Sequence, residues 1–257
     1  MTYVFNAADD IRLKHPGCGV EKLYYSINPD FIGRDKFIDI MMQNGYRLSK
    51  KINYKRTTYG SRVNFPNLIE GISLNGPSQV WQSDITYIDV NNKFYYAVFI
   101  IDVYTKKIVG YSLSDHMKAS ANVKALKMAL SKHKTPIVHH SDRGSQYTSN
   151  EYLNLLRDNN IEISMGLMAT DNAYAERLNR TIKEEYLEHW NIKTYEVLKS
   201  QMKKAVKNYN NERLHNSINR KTPSFFEKEV FSLPLEERPI MVIYDNNENK
   251  LKTVNHI

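Results

Sequence analysis

Cysteine is nearly absent from this sequence. Cys18 is the only one in 257 residues, which excludes a disulfide framework and a cysteine-ligated zinc site. Such usage suits a reducing cytosol. Long apolar runs are missing too. No stretch approaches the ~20 residues that a membrane-spanning helix needs, and "MTYVFNAADDIRLKH" has no signal-peptide apolar core. Internal repeats and low-complexity tracts are lacking. Acidic charge is the minority, with 28 Asp and Glu against 36 Lys and Arg and a formal net charge of +8. That excess fits a polyanionic partner, nucleic acid being the commonest. A merely basic protein has the same balance. What is present is 41% apolar residues, enough for a real core, in a length that suits one large domain and a smaller one.

The chain opens with helical periodicity. In "GVEKLYYSI", Val20, Leu23, Tyr24 and Ile27 fall at i, i+3, i+4 and i+7, one face of a helix. "RDKFIDIMMQNGY" repeats the pattern with Phe37, Ile40 and Met41. Two short helices joined by a turn suit a DNA-reading unit, and equally a hairpin that only packs. The next stretch, "KKINYKRTTYGSRVNF", carries Lys50, Lys51, Lys55, Arg56 and Arg62 with interleaved tyrosines and no acid. It suits phosphate-backbone contact and also a solvated linker. "PNLIEGISLNGPSQ" has the Pro and Gly content of a boundary. These signals divide the chain into a helical domain with a basic arm over 1–65, a linker over 66–78, a core over 79–231 and a tail over 232–257.

From Val80 the pattern turns to strands. "VWQSDITYIDV", "FYYAVFIIDV" and "KKIVGYSLS" are β-branched and aromatic runs separated by short turns, an antiparallel meander. A helix follows in "SANVKALKMALSKH", with Ser120 as its candidate cap. Next come strand "PIVHHS", helix "SNEYLNLLRDNN", strand "IEISMG" and a helix from about Ala173 to Glu188. "TYEVLKSQMKKAVKNYNNERLH" is a further basic amphipathic helix, and "IMVIYD" a short strand near the end. Hairpin-linked and crossover-linked strands together predict an α/β fold with a mixed five-stranded sheet flanked by helices.

Three acids stand in suggestive places: Asp84 inside the first strand, Asp142 just after the fourth, and Glu176 on the late helix. An acid in so apolar a strand is costly unless it is paired or binds a cation. Carboxylates from separate elements can converge on Mg²⁺, which prefers oxygen ligands. Bland readings stand beside this one. Asp89 and Asp102 occupy strands of the same kind. Asp142 before Arg143 and Gly144 is also a good turn residue, with Gly supplying positive φ. Glu176, Arg180 and Lys183 fall at i, i+4 and i+7, opposite the apolar stripe of Tyr174, Leu178, Ile182 and Tyr186. That face is either solvated, with a Glu–Arg pair worth ~0.2–0.5 kcal/mol, or the rim of an active site. Of His139 and His140, adjacent on a strand and pointing oppositely, one is expected near the site and one in packing.

Taken together, "WQSDITYI", "HHSDRGSQYTS", "DNAYAERLNRTIKEEY" and "YNNERLHNSINRKTPSFFE" resemble, in order and spacing, the second-frame transposases of copy-out, paste-in bacterial insertion sequences. These belong to the retroviral-integrase superfamily. The resemblance covers about Asp10 to Glu227, with the N-terminal helices resembling the small helical domain of the same proteins. It implies a ribonuclease-H-like core and an Asp-Asp-Glu triad, here Asp84, Asp142 and Glu176, as catalytic residues and metal ligands. It implies two Mg²⁺ ions, with Mn²⁺ as a substitute. Cleavage at a transposon end would expose a 3′-OH that attacks another phosphodiester. Arg143, Arg180, Lys183, Lys50, Lys51, Lys55 and Arg56 are the expected DNA contacts.

The implied partners are transposon-end DNA, target DNA, further copies of the chain assembled on DNA, and an upstream helix-turn-helix frame product. The implied place is the bacterial cytoplasm, at the nucleoid, with no membrane role. The 33 residues between Asp142 and Glu176 are slightly fewer than the family's usual spacing, so a trimmed loop is expected before the late helix. Two rivals stay open: a ribonuclease-H-like nuclease that transfers no strands, and a DNA-binding relative without catalysis.

Overall fold

The computed structural model describes residues 1–48, 65–166 and 168–243. Lys50, Lys51, Lys55 and Arg56 lie outside the described residues. Contacts divide the chain into two compact units, Met1–Thr57 with Thr181–Thr222, and Thr58–Arg180 with Pro223–Ile257. Among the described residues, no helix is long and apolar enough to cross a membrane.

The first unit begins with α1 (Thr2–Lys14), α2 (Val20–Ile27) and α3 (Arg34–Gln43). Periodicity does not announce α1, because its fully buried face is only Val4 and Ala8. These two pack with Cys18, Val20, Leu23, Phe37 and Met41 into one apolar cluster. Cys18 is thus a small core residue, and burial pushes its thiol up to about 11.

In the second unit, β1 (Ser73–Leu74) is followed by the expected meander of β2 (Val80–Val90), β3 (Lys93–Asp102) and β4 (Ile108–Ser114). Then come α4 (Ala119–Lys132), β5 (Val138–Ser141), α5 (Asn150–Asp158) and β6 (Glu162–Met165). The crossovers add β5 and β6 in parallel, giving the sheet order β4-β3-β2-β5-β6. Trp81, Val98, Ile100 and Val109 from the sheet pack against Leu126, Ala129, Tyr152, Leu153 and Leu156 from the helices. Gly110 permits the close approach of α4, since a Cβ there would lie 2.4 Å from the Ala125 carbonyl oxygen. Ser149 caps α5 by accepting from the Tyr152 N–H. Ser120 does not cap α4. That helix starts at Ala119, with Lys118 in the cap position and no side-chain cap bond.

The late helix, α6, spans Ala173–Glu185 after a 3-10 turn at Ala169–Asn172. It is followed by α7 (Tyr195–Asn211), α8 (Pro223–Ser232) and β7 (Met241–Val242), which pairs with β1. The sequence reading put 79–231 in one core, yet 181–222 group with the N-terminal helices. An ion cluster within that unit supplies the reason. Arg213 forks onto Glu185 with two bonds of 2.7 Å, and Lys22 reaches the same carboxylate at 2.7 Å. The Gly17 N–H donates to the Glu185 carbonyl. Burial alone would raise the Glu185 carboxyl, but Arg213 and Lys22 hold it below its ordinary value. Stranding one member of a buried pair costs about 3–5 kcal/mol. Arg213→Ala is therefore expected to lower unfolding free energy by about that amount in urea titrations, where a surface pair would give less than ~1 kcal/mol.

Candidate active site

The site is built where β5 ends beside the middle of its parallel neighbour β2. Gln82 on β2 pairs with His140 on β5. Continuing that register by two residues sets Asp84 level with Asp142, which immediately follows β5. Such ends are where open α/β sheets present ligand-binding groups. Asp84 stands on the central strand, opposite Phe99 of β3. Its carboxylate accepts a 2.8 Å bond from Asn179 Nδ2. Asp142 Oδ1 accepts the Gly144 N–H at 2.9 Å. Gly144 serves this contact rather than a positive φ, since it is not among the positive-φ glycines. A Cβ there would lie only 3.0 Å from Asp142 Oδ1.

Glu176 is exposed in the first turn of α6, while Leu178 and Ile182 on the same helix are buried. The apolar stripe therefore faces inward as expected, and the acid faces out. The three acids share one electrostatic field. Burial, then the Asp142 charge and more weakly that of Glu176, push the Asp84 carboxyl up to about 7. The Ile85 N–H and Asn179 oppose this by bonding to the charged form. Asp142 is raised by burial against the Gly144 bond. Glu176 is raised by partial loss of water and by Asp142, against Arg180. Among the described residues, no group of three or more His, Cys, Asp or Glu side chains is gathered closely enough to hold a metal ion as the side chains stand. The arrangement is an open set of carboxylates, the donor chemistry that suits a hard divalent cation.

The other expected residues divide. Arg180 is exposed one turn beyond Glu176. Arg143 follows Asp142, with its Nε buried and without a hydrogen-bond partner among the described residues. Lys183 belongs to the other compact unit. Burial lowers its pKa, opposed by Glu188 and Glu184. Neither histidine takes the place expected for one of them near the acids. His139 bonds Tyr152 at 2.9 Å and His140 bonds Ser164 at 2.8 Å, both fully buried. Burial pushes them down to about 3 and about 4, so both are neutral packing groups. Asp102 is likewise absorbed, accepting from Ser78 and Thr105. Asn179 was not evident from the sequence. Its signal is spacing, because i+3 from Glu176 places it on a neighbouring part of the same helix.

Comparison with known proteins decides the family. The integrase core domain family matches residues 75–168, and a second integrase core domain family matches 159–223. The chain is 31% identical over 215 residues to the insertion element IS600 uncharacterized 31 kDa protein of Shigella sonnei, covering 80% of this chain and 79% of that one. It is 33% identical over 189 residues to the transposase for insertion sequence element IS904 of Lactococcus lactis, covering 70% and 75%. The chain belongs to the integrase-core transposases of insertion sequences. Solved structures agree on a ribonuclease-H-like fold. The dimeric HTLV-2 integrase catalytic core domain in complex with magnesium superposes with a TM-score of 0.50 at 20% identity, over 59% of this chain and 97% of that one. A simian T-cell lymphotropic virus intasome, in complex with PP2A regulatory subunit B56 gamma, gives 0.53 at 15% identity, over 86% and 74%.

The raised Asp84 pKa has a stability consequence. Its folded value, about 7, exceeds the ordinary 3.8, so the neutral form is favoured by folding. The contribution to stability is full below about pH 4 and is lost as pH rises through about 7. In protein without divalent cation, Asp84→Asn is expected to melt higher than wild type. The difference should grow from about pH 4 to about pH 7 and then stay level. A difference independent of pH in thermal melts would contradict the raised Asp84 pKa.

Proposed function

We propose that this insertion-sequence transposase cleaves its element's DNA ends and joins them to target DNA through Asp84, Asp142 and Glu176. The observation that supports this most is the convergence of three carboxylates from β2, the end of β5 and α6 in one field. Two Mg²⁺ ions held there, with Mn²⁺ as a substitute, would neutralise the attacking and leaving oxygens of an in-line phosphoryl displacement. In this reading Asp84, Asp142 and Glu176 would hold the ions.

The chain's own groups do the rest. Asn179 fixes the rotation of the Asp84 carboxylate by donating to one oxygen. The Gly144 N–H does the same for Asp142. A raised Asp84 pKa makes cation binding compete with a proton, so binding strengthens as pH rises through about 7. Arg180 offers an exposed guanidinium beside Glu176 for a DNA phosphate. Arg143, Lys183, Lys50, Lys51, Lys55 and Arg56 are assigned further backbone contacts, with α1 to α3 engaging the element's ends. Because two ends must be joined, the active species is an oligomer on DNA, with an upstream helix-turn-helix product as a further partner.

Asp142→Ala is expected to reduce Mg²⁺-dependent nicking of the element's ends to background while DNA binding persists. Nicking that survives the substitution would remove Asp142 from the site. Degradation of RNA–DNA hybrids by wild type, without joining of DNA ends, would instead indicate a nuclease. Arg180→Ala is expected to weaken DNA binding uniformly across sequences and to reduce the salt slope by about 1. An unchanged slope would mean that Arg180 contacts no phosphate.

A further inference from the structure

The first turn of α6 is capped from another element. The first N–H groups of a helix have no partner within it, and the residue just before the helix usually supplies one through its side chain. Asn172 holds that place but turns away, donating from Nδ2 to the Ser83 carbonyl at 2.9 Å. Its Oδ1 is buried without a partner among the described residues. The cap comes from Gln82 on β2, which is 1% exposed. Gln82 Oε1 accepts the Tyr174 N–H at 3.1 Å and the Ala175 N–H at 3.3 Å, and Nε2 donates to the Asp171 carbonyl at 3.3 Å. A further contact holds the same turn. The Lys106 amino group lies 4.1 Å from the Tyr174 ring centroid and donates to the Val103 carbonyl at 2.7 Å.

Placement gives this clamp its meaning. Gln82 and Asp84 are two residues apart on β2, so their side chains share a face of the sheet. Tyr174 and Ala175 immediately precede Glu176. The strand that carries the first acid therefore grips the helix turn that carries the third. A slip of one residue along a helix moves a side chain by about 1.5 Å and rotates it by about 100°, enough to take Glu176 away from its partners. The Ser83 side chain does not share this job, because its hydroxyl bonds Tyr147 in the core at 2.9 Å.

We infer that Gln82 is a positioning residue, which fixes the spacing between Asp84 and Glu176 by capping the first turn of α6 from β2. The inference rests on the reading of Asp84 and Glu176 as metal-holding acids. Loss of a group that orients metal ligands typically lowers metal affinity by about 10–100-fold. Gln82→Met keeps the volume and removes the acceptor. Gln82→Glu keeps the volume and the acceptor oxygen.

The test uses the full chain without DNA and two readouts. One is amide hydrogen exchange of the segment containing Asp171 to Glu176. The other is Mn²⁺ binding followed by the electron paramagnetic resonance of the free ion. Gln82→Met is expected to accelerate exchange in that segment selectively and to weaken Mn²⁺ binding about 10-fold or more. Gln82→Glu should restore both. Asn172→Ala should shift both in the same direction by less, and it decides the matter if Gln82→Met does not fold. Wild-type exchange and Mn²⁺ affinity in Gln82→Met, or in Asn172→Ala where that variant decides, would overturn the inference. Glu176→Gln separates the two levels. If it too binds Mn²⁺ as wild type does, the acidic-site reading itself fails. If it binds weakly while Gln82→Met binds normally, only the clamp fails.

Discussion

Three like-charged carboxylates have to be held close together on separate elements, and the second unit of this protein is arranged around that constraint. Burial first, and then the neighbouring acids, push the Asp84 carboxyl up to about 7. Such crowding persists only where the surrounding structure enforces it. The enforcement is visible in each case. β2 is the central strand, bonded on both sides, by β3 and by β5. Asp142 follows a buried strand directly and is fastened by the Gly144 N–H. Glu176 depends on where α6 begins, and that start is set by Gln82 and Asn172 reaching between strand and helix.

The same physics sorts the rival titratable groups. Asp102 resembles Asp84 in its strand setting, yet three donors satisfy its carboxylate. His139 and His140 sit close to Asp142 in sequence, but each ring bonds a core hydroxyl. A buried polar group with its partners supplied locally is structural. Asp84 differs in company. Its neighbours include two more acids, and the charges of Asp142 and Glu176 add to burial in raising its pKa.

Much of this was legible in the sequence, for identifiable reasons. β-Branched and aromatic runs marked the three strands of the meander, and the 3.6-residue stripe of Leu178 and Ile182 turned Glu176 outward, as it stands. What stayed hidden depended on contacts distant in sequence. Ser120 looked like a cap, but α4 begins before it. α1 buries too narrow a face for periodicity to report. The grouping of 181–222 with the N-terminal helices rests on Glu185, Arg213 and Lys22, whose pairing no local pattern encodes. Gln82 was unreadable for the same reason. A glutamine in a strand has many uses, and only the position of α6 shows which one applies.

The role proposed for Asp84, Asp142 and Glu176 is to hold a divalent cation together. Anomalous scattering from crystals of the metal-loaded protein, with Mn²⁺ standing in for Mg²⁺, tests it most directly. The expected result is anomalous density coordinated by the Asp84, Asp142 and Glu176 carboxylates. Density at other ligands, or coordination that leaves Glu176 out while α6 keeps its place, would contradict the account.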